Sequence, residues 1–448
     1  MRLALIGLDC VDPELLSQLL PDLPTLAGIV RGGSFLRLRS VDPPITVPAW
    51  MCMMTGKDPG ELGVYGFRNR ADHSYTGLAL ATSTRFTAPA AWDILGRYGL
   101  SSVLLGIPGT YPPKPVRGWL VSGFPAPEAA TDYTYPTSLA DDVRRWIGGY
   151  AFDVREFRTE DKAALLDRVR TATANRFALA RRMVAELRWD FFAMVEMGPD
   201  RVHHAFWADH DPTHPKHGPR SPFRDALRDY YRFLDHELGE LLAELPARTQ
   251  VLVASDHGAQ PMRGGIAVNE WLLQEGYLAL HEYPGAPTRM EALIREGRVD
   301  WSRTIAWGEG GYYGRVFLNV AGREPEGVVP PGRYEEVRAE LAERLTALPD
   351  EHGRPLGTRV LYPERTYRAV RGIPPDLLVY FGDLAWRSIG TVGWNRIHLH
   401  ANDTGPDDAN HAPCGILIAD PPMGLGHEAS ILEVKDLILR HFGVEEQG

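Results

Sequence analysis

Residues 250–258 read QVLVASDHG, an apolar run that ends in an ionisable pair. A short apolar run bounded by polar residues is typical of a buried strand in a parallel sheet. Asp256 and His257 follow this strand at once, and burying such a pair is unfavourable unless something compensates its charge. The stretch therefore predicts a parallel sheet with chemistry at the carboxyl end of one strand.

Five further apolar runs, and the segments between them, define the fold class. The runs lie at 3–9, 102–108, 190–197, 376–382 and 415–422. Amphipathic stretches such as 161–188 and 223–245 separate them, as helices would. Alternating strands and helices predict the α/β class, with a doubly wound, mainly parallel central sheet flanked by helices. We expect one domain over residues 1–448, in which the less regular segment of about 280–372 is an inserted smaller subdomain.

The composition excludes some classes of partner. A net charge of −10 on 448 residues argues against a protein that coats nucleic acid, because such surfaces are basic. No apolar segment approaches the length that spans a bilayer, so we expect no membrane insertion. The three cysteines, Cys10, Cys52 and Cys414, are an odd number without CxxC spacing, which fits a reduced compartment. We therefore expect a cytoplasmic protein, and its oligomeric state stays open.

Polar side chains recur where the apolar runs end, which is where open α/β sheets bind ligands. Asp9 ends the first run, and the segment DRVHH places Asp200 and His204 one helical turn apart after the run at 190–197. His411 precedes the last run. Each of these residues alone could be a turn or cap residue. Together with the Asp-His pair quoted above, they predict a ligand set for Zn²⁺ or a similar ion.

A threonine occupies an unusual place in the segment 42–50, which reads DPPITVPAW. Thr46 stands two residues before Pro48, at the start of a helix-like run. Its hydroxyl could cap that helix, which is a common use of threonine. It could also be the atom that reacts, and the segment by itself leaves both interpretations open.

Several segments, taken in order along the chain, carry a resemblance to a known family. They are GLDCVDPEL, PPITVPAW with TGKDPGELGVYGF, DRVHHAFW, SDHG with VNEWLLQEGYL, LNVAGREPEGVV, PDLLVYFG and NHAPCGILIADPP. In this order the segments resemble the type I phosphodiesterase/nucleotide pyrophosphatase family of the alkaline phosphatase superfamily. The resemblance runs over nearly the whole chain and implies an alkaline phosphatase-like catalytic domain.

The resemblance implies two divalent metal ions, Zn²⁺ in the first place and Mn²⁺ as the alternative. One ion would be held by Asp9, Thr46, Asp256 and His257, and the other by Asp200, His204 and His411. Thr46 would be the nucleophile, since coordination to a cation lowers the pKa of a hydroxyl. The implied reaction is hydrolysis of a small phosphodiester or pyrophosphate through a phosphothreonine intermediate.

Five further residues are candidates for substrate binding. Trp50, Tyr65 and Phe67 could form an aromatic surface for a nucleoside or aryl group, or they could pack in the core. Family members often carry an asparagine near the position of Phe67, and here Asn69 lies two residues later. Arg323 in GREPEGVV could contact an anionic substrate or form a salt bridge within a turn.

Three other functions compete with diester hydrolysis. The segment TVPAW echoes the formylglycine sulfatases, but threonine cannot be oxidised to that aldehyde and Trp50 stands in place of their arginine, which argues against a formylglycine sulfatase. A phosphomonoesterase or a phosphonate hydrolase could use the same metal ligands. A non-catalytic binding protein could keep the fold, but the complete set of ligands and the retained hydroxyl argue against it.

Overall fold

The computed structural model describes residues 1–424, 426 and 428–445. It divides into two compact units, one of Met1–Phe67, Ala81–Ala259 and His411–Gly448, and one of Arg68–Leu80 and Gln260–Asn410. The predicted insertion of about 280–372 lies within the second unit, which extends further on both sides. The periodicity of the sequence identifies helices and strands but does not show which of them pack together. The predicted insertion is therefore shorter than the second unit. The assignment of both units to one domain stays a prediction.

The first unit is built on a nine-stranded mixed sheet. In sheet order, its strands are Glu428–Ser430, Ser34–Arg39, Cys414–Asp420, Thr249–Ala254, Arg2–Leu8, Phe191–Glu196, Ser102–Leu105, Gly118–Val121 and Thr134–Tyr135. Five of the eight pairings between these described strands are parallel. The predicted α/β class with a mainly parallel central sheet is confirmed.

The central strands of this sheet are buried on both faces, as their continuous apolar runs require. Alternate strand residues, such as Leu3 and Leu5, share one apolar core with the helices Thr46–Thr55, Ala91–Arg97 and Val434–His441. Ile6 and its equivalents on neighbouring strands point to the other face and are also fully buried. A second group of helices packs together and includes Lys162–Glu186, Gly198–His210 and Ala226–Glu244.

The remaining helices of the first unit are short. They are Pro13–Leu19, Pro24–Gly32, Pro59–Leu62 and Leu139–Ile147, with 3₁₀ turns at Leu20–Asp22, Ser83–Arg85 and Ile431–Glu433. Across the described residues, no helix combines the length and the apolar character needed to cross a bilayer.

Strand register brings the predicted ligands to one edge of the sheet. Leu8 pairs with Glu196 and Gly7 pairs with Ala254, all in parallel strands. The residues that follow these three strands therefore emerge at the same edge. The strand Cys414–Asp420 runs antiparallel to Thr249–Ala254, so its beginning lies at that edge instead. This direction explains why the last candidate ligand precedes its strand while the others follow theirs.

The second unit is built mainly on antiparallel pairings, although Gly264–Ala267 and Trp386–Ile389 pair in parallel. Its largest sheet has the strands Ala306–Glu309, Gly314–Leu318, Leu377–Tyr380 and Arg359–Leu361, all antiparallel to their neighbours. The apolar run 376–382, predicted as a strand of the central sheet, belongs here, and that prediction was wrong. A buried strand reads as the same short apolar run in either kind of sheet, so the sequence could not assign it.

Shorter elements complete the second unit. Its smaller sheets comprise Trp386–Ile389, Gly264–Ala267 and His398–Leu399; Thr288–Arg289 and Thr391–Val392; and Arg68–Arg70 and Leu78–Leu80. Its helices are Val268–Gln274, Met290–Arg295, Tyr334–Thr346 and Pro363–Thr366, with a 3₁₀ turn at Pro331–Arg333. The strands Gly258–Pro261 and Ala409–Ala412 contain two of the four chain boundaries between the two units.

Candidate metal centre

Two groups of buried side chains of ligand type lie at the edge where the strands end. In each group, the candidate ligand atoms lie within 4.8 Å of one another. The groups are Asp9, Asp256 and His257, and Asp200, His204 and His411. The structure thus brings together the six Asp and His residues predicted as ligands, in the two sets implied by the resemblance.

His257 presents one ring nitrogen to the first group. Its Nδ1 donates a hydrogen bond to the carbonyl of Gly258 at 3.1 Å, which requires the proton on Nδ1. Burial lowers the pKa of His257 to about 4, so the ring is neutral and its Nε2 carries a lone pair. That Nε2 lies 3.3 Å from Asp256 Oδ2 and 3.8 Å from Asp9 Oδ1. A neutral imidazole fixed in this tautomer is the usual form of a metal ligand.

His411 is fixed in the same way in the second group. Its Nδ1 donates to the carbonyl of Pro44 at 2.6 Å, and burial, followed by the proximity of His257, holds its pKa well below the usual range. The Nε2 atoms of His411 and His204 lie 3.6 Å and 3.3 Å from Asp200 Oδ1. The rings of His257 and His411 stack with their centroids 3.8 Å apart.

The three carboxylates of the centre are incompletely satisfied. Asp9 Oδ1, Asp200 Oδ1 and Asp256 Oδ2 are buried and have no hydrogen-bond partner among the described residues. Burial raises the pKa of Asp9 and of Asp256 well above the usual range, and the negative charges of Asp200 and of Asp9 respectively add to it. For Asp200, burial also raises the pKa, but His204 and Arg201 outweigh it and lower the value.

This donor set fits a divalent cation. Buried carboxylate oxygens without partners are costly, and a bound cation would compensate both their charge and their missing contacts. Carboxylate oxygens combined with neutral imidazole nitrogens suit Zn²⁺ and, with less selectivity, Mn²⁺.

Thr46 is the first residue of the helix Thr46–Thr55 and is 3% exposed. The N-cap of that helix is Ile45, and no side chain caps it. The capping interpretation of Thr46 therefore does not describe its hydroxyl. Its Oγ1 instead lies 3.4 Å from Nε2 of His257. The hydroxyl thus faces the first ligand group.

Trp50 holds Asp9 in place, a contact that the sequence analysis missed. Its indole Nε1 donates to Asp9 Oδ2 at 2.7 Å, and the side chain is fully buried. Burial matches the packing interpretation of this residue rather than an aromatic surface open to substrate. Thr46 and Trp50 are four residues apart in one helix, so the spacing contained a signal that both face the same site.

Arg201 is a second contact that the sequence analysis missed. It forms an ion pair with Asp200 Oδ2 and donates to both oxygens of Asp153 at 2.8 and 2.6 Å. Arg201 follows Asp200 directly in DRVHH, so its proximity could have been expected. Asp153 lies 48 residues earlier in a loop, and nothing in its local sequence indicates the contact.

Two of the other predicted substrate residues pack within the first unit. Tyr65 is 2% exposed, and Phe67 packs on the apolar core with its ring edge-to-face on Phe124 at 5.5 Å. Asn69 lies in the second unit and is buried. Substrate contact by these three residues stays a prediction.

Arg323, the last of the predicted substrate residues, also lies in the second unit. There it donates two hydrogen bonds of 2.8 Å to Asp376 and pairs with Glu324 at 2.9 Å. These contacts match the salt-bridge interpretation of Arg323 rather than contact with an anionic substrate.

The fold and the centre together define a class, an α/β protein with a buried carboxylate–imidazole centre at a strand-end edge. The sequence model of the type I phosphodiesterase / nucleotide pyrophosphatase family matches residues 3–407, and the chain belongs to this family. The family name describes hydrolysis of phosphodiester and pyrophosphate bonds. No curated protein sequence matches the chain.

Solved structures show the same fold at low sequence identity. Phosphonoacetate hydrolase from Sinorhizobium meliloti, in complex with phosphonoformate, is 15% identical with a TM-score of 0.62, covering 98% of this chain and 95% of that one. Human ectonucleotide pyrophosphatase/phosphodiesterase 5 is 14% identical with a TM-score of 0.56, covering 100% and 96%. An inactive form of its murine counterpart, in complex with AMP, is 14% identical with a TM-score of 0.55, covering 100% of this chain and 96% of that one. At these identities the likeness is one of fold, and the alkaline phosphatase-like architecture is confirmed.

Proposed function

We propose that this chain is a two-metal hydrolase of small phosphodiesters or pyrophosphates, with Thr46 as its nucleophile and a phosphothreonine intermediate. One observation carries the proposal. The Thr46 hydroxyl lies 3.4 Å from a neutral imidazole, at the edge where three buried carboxylate oxygens have no hydrogen-bond partner among the described residues. A helix cap or a packed core would not need this arrangement, whereas a metal-assisted nucleophile would.

The two ligand groups have separate assignments in the proposal. One ion is held by Asp9, Thr46, Asp256 and His257, and the other by Asp200, His204 and His411. When bound, the ions supply a lowered pKa for a coordinated hydroxyl and stabilisation of charge on the attacking and leaving oxygens. Three histidines among the ligands favour Zn²⁺, with Mn²⁺ as the alternative.

The chain's own groups bind and attack the phosphoryl group. Thr46 begins a ten-residue helix, and the first-turn N–H groups of a helix favour a bound anion. As the bond from Thr46 Oγ1 to phosphorus forms, the bond to the leaving oxygen breaks, and the leaving group takes up the hydroxyl proton. Water then cleaves the phosphothreonine bond, which releases the phosphoryl product and restores Thr46.

Variants of two threonines in one helix test this role. Thr46→Ala should abolish most turnover while the protein stays folded, and Thr46→Ser should retain measurable activity because it keeps a hydroxyl. Thr55→Ala is the matched control, since Thr55 is equally buried in the same helix but donates to the carbonyl of Met51 at 2.7 Å. Equal activity in Thr46→Ala and Thr55→Ala would refute the nucleophile.

Stereochemistry separates a covalent intermediate from direct attack by water. Two successive in-line displacements each invert the configuration at phosphorus, so a chiral phosphorothioate diester should react with net retention. Net inversion would show that water attacks directly and that Thr46 is only a ligand.

A phosphomonoesterase or phosphonate hydrolase is the second candidate. Positive charge near the second ligand group favours it: the guanidinium of Arg158 lies over the ring of Phe157, which is 5.6 Å from the ring of His204. Rates on bis-p-nitrophenyl phosphate, p-nitrophenyl phosphate and phosphonoacetate distinguish the candidates. Turnover of any of them would exclude the non-catalytic alternative.

We also propose a cytoplasmic location. Three cysteines without disulfides, Cys10, Cys52 and Cys414, support it, because free thiols persist in a reducing compartment. Fractionation of the source cells with an antibody against the chain would test it.

A further inference from the structure

The proposed function leaves the thiol of Cys10 unused, although this side chain lies among the ligand groups. Cys10 follows Asp9 directly and is 1% exposed. Its Sγ, a carboxylate oxygen of Asp200 and a ring nitrogen of His257 lie within 4.8 Å of one another. Asp200 and His257 belong to different ligand groups, so the sulfur contacts the centre from a position common to both.

A second observation indicates that this position takes a ligand. Oδ1 of Asp200 is buried and has no hydrogen-bond partner among the described residues. The carboxylate that lies near the sulfur therefore has an oxygen whose charge a bound cation would compensate. The thiol donates a long hydrogen bond, 3.4 Å, to the carbonyl of Gly258 and also lies beside the carboxylate of Asp200, and sulfur is a weak donor. That bond alone does little to explain a thiol among three buried carboxylates.

The backbone at Cys10 agrees with a function for its side chain. Its φ of 67° lies in the left-handed region, where glycine is free of strain and other residues are uncommon. A glycine at this position would relieve the strain and would also remove the sulfur from the centre.

We propose that Sγ of Cys10 is an additional metal ligand of this centre. The proposal rests on the two-metal function above. On binding, the thiol releases its proton to solvent and the sulfur donates an electron pair to the ion, so nothing is oxidised or reduced. Because thiolate is a soft ligand, the sulfur would favour Zn²⁺ and Co²⁺ over Mn²⁺. Cys10 would then determine which metal the centre accepts.

Cobalt substitution reports on the sulfur directly and without an activity assay. Co²⁺ in a protein site absorbs in the visible, and a bound thiolate adds a sulfur-to-cobalt charge-transfer band in the near ultraviolet. We expect both absorptions from the cobalt-loaded parent protein. Cys10→Ser should keep the visible bands and lose the near-ultraviolet band. The control Cys414→Ser should keep both, because Cys414 belongs to none of the ligand groups found in the described residues.

Two outcomes would overturn the assignment, and they are distinguishable. Visible bands without a charge-transfer band in the parent protein would refute Cys10 as a ligand and leave the metal centre standing. A parent protein without cobalt bands would refute the two-metal function and Cys10 with it. Neither outcome depends on the folding of a variant.

Metal affinities give a second measurement. Cys10→Ser should weaken Zn²⁺ binding by about tenfold or more and change Mn²⁺ binding less. Cys10→Gly, which also lacks the sulfur, should show the same change in metal selectivity as Cys10→Ser. Equal losses for both ions would contradict a ligand role for the sulfur.

Discussion

Two buried polar clusters, one in each unit, use the same residue types with opposite results. In the second unit, Asp376 accepts from Arg323, from the hydroxyl of Tyr334 at 2.6 Å and from the backbone of Leu318 at 2.7 Å. Glu324 accepts from Arg323, from Arg70 at 3.0 Å and from the backbone of Val320 at 3.0 Å. Every carboxylate oxygen of this Arg323 cluster has a partner.

The candidate metal centre of the first unit is open, in that some of its buried carboxylate oxygens have no partner among the described residues, whereas the Arg323 cluster is closed. Asp9 accepts one hydrogen bond on Oδ2, from Trp50, while its Oδ1 has no partner within the described part of the chain. Asp200 and Asp256 each leave one oxygen in the same state. Both clusters therefore contain buried carboxylates. They differ in whether every carboxylate oxygen has a hydrogen-bond partner among the described residues. A cluster whose hydrogen bonds are complete fits a structural role, whereas buried oxygens without partners fit the proposed ligand role.

The largest effect that would test this comparison comes from two adjacent histidines. Both are buried, but Nε2 of His204 lies 3.3 Å from Asp200, whereas that of His203 bonds to the hydroxyl of Tyr231 at 3.0 Å. His204→Ala should lose one of two bound ions and about 10³-fold in turnover, since metal assistance contributes several kcal/mol to the transition state. Elemental analysis and steady-state kinetics measure both changes.

His203→Ala is the matched control for that experiment. It removes a neighbouring imidazole that lies outside the ligand groups found in the described residues. We expect it to keep two ions and most turnover, with a loss of stability from the hydrogen bond to Tyr231. Equal metal loss in both variants would mean that the centre responds to packing in this helix and not to ligation.

The next largest effect concerns the closed cluster. Arg323→Met should lower the free energy of unfolding by about 3 kcal/mol, because it removes the cationic partner of the buried Asp376 and leaves Glu324 with Arg70 alone. Metal content should not change. Denaturant unfolding with elemental analysis checks both statements. If the variant has normal stability but binds substrate less tightly, Arg323 contacts the substrate, which is the other interpretation of this residue.

The fold class was predictable because the central strands are buried on both faces. Continuous apolar runs such as 3–9 and 190–197 identified the central strands, and the helices between them implied parallel pairing. The run 376–382 was misassigned because sheet membership depends on contacts distant in sequence. For the same reason, the sequence could not predict that Arg68–Leu80 belongs to the second unit.

The centre was predictable where chemistry follows a strand end. Asp9 and Asp256 were identified because each directly follows an apolar run, where burying an acidic side chain is unfavourable unless its charge is compensated. The contact of Trp50 with Asp9 was harder to predict, because a tryptophan in an apolar helix is typical of a core residue. Whether its N–H reaches a carboxylate depends on the orientation of the side chain. Asp153 was out of reach, since a loop acid shows its partner only in the folded chain.

A smaller effect distinguishes the clusters by the sign of a stability change. Adding Zn²⁺ to chelator-treated protein at a hundred times its Kd should raise the free energy of unfolding by about 2.7 kcal/mol per site. Asp256→Asn should abolish this increase at its site. The same variant should stabilise the metal-free protein, because burial and the charge of Asp9 disfavour an ionised Asp256. Thermal unfolding with and without Zn²⁺ measures both signs.

A closed cluster gives the contrasting result. Asp376→Asn should destabilise the protein and leave the zinc-dependent increase intact, since its partners are Arg323, Tyr334 and a backbone amide. Stabilisation by Asp376→Asn, or destabilisation of the metal-free protein by Asp256→Asn, would remove the distinction between open and closed clusters.

The smallest expected effect is the preference between ester classes. A monoester dianion carries one more negative charge than a diester, and Arg201 is already paired with Asp200 and Asp153. We therefore expect kcat/KM for diesters to exceed that for monoesters by about tenfold, equivalent to about 1.4 kcal/mol. Arg158, whose guanidinium lies 4.4 Å from the centroid of the Phe157 ring, is the nearby cation that could reduce this margin. Arg158→Met should then slow monoesters more than diesters and widen the preference. If monoesters or phosphonates are the better substrates and Arg158→Met reverses the order, charge beside the open cluster selects the substrate, and the second candidate function replaces the first.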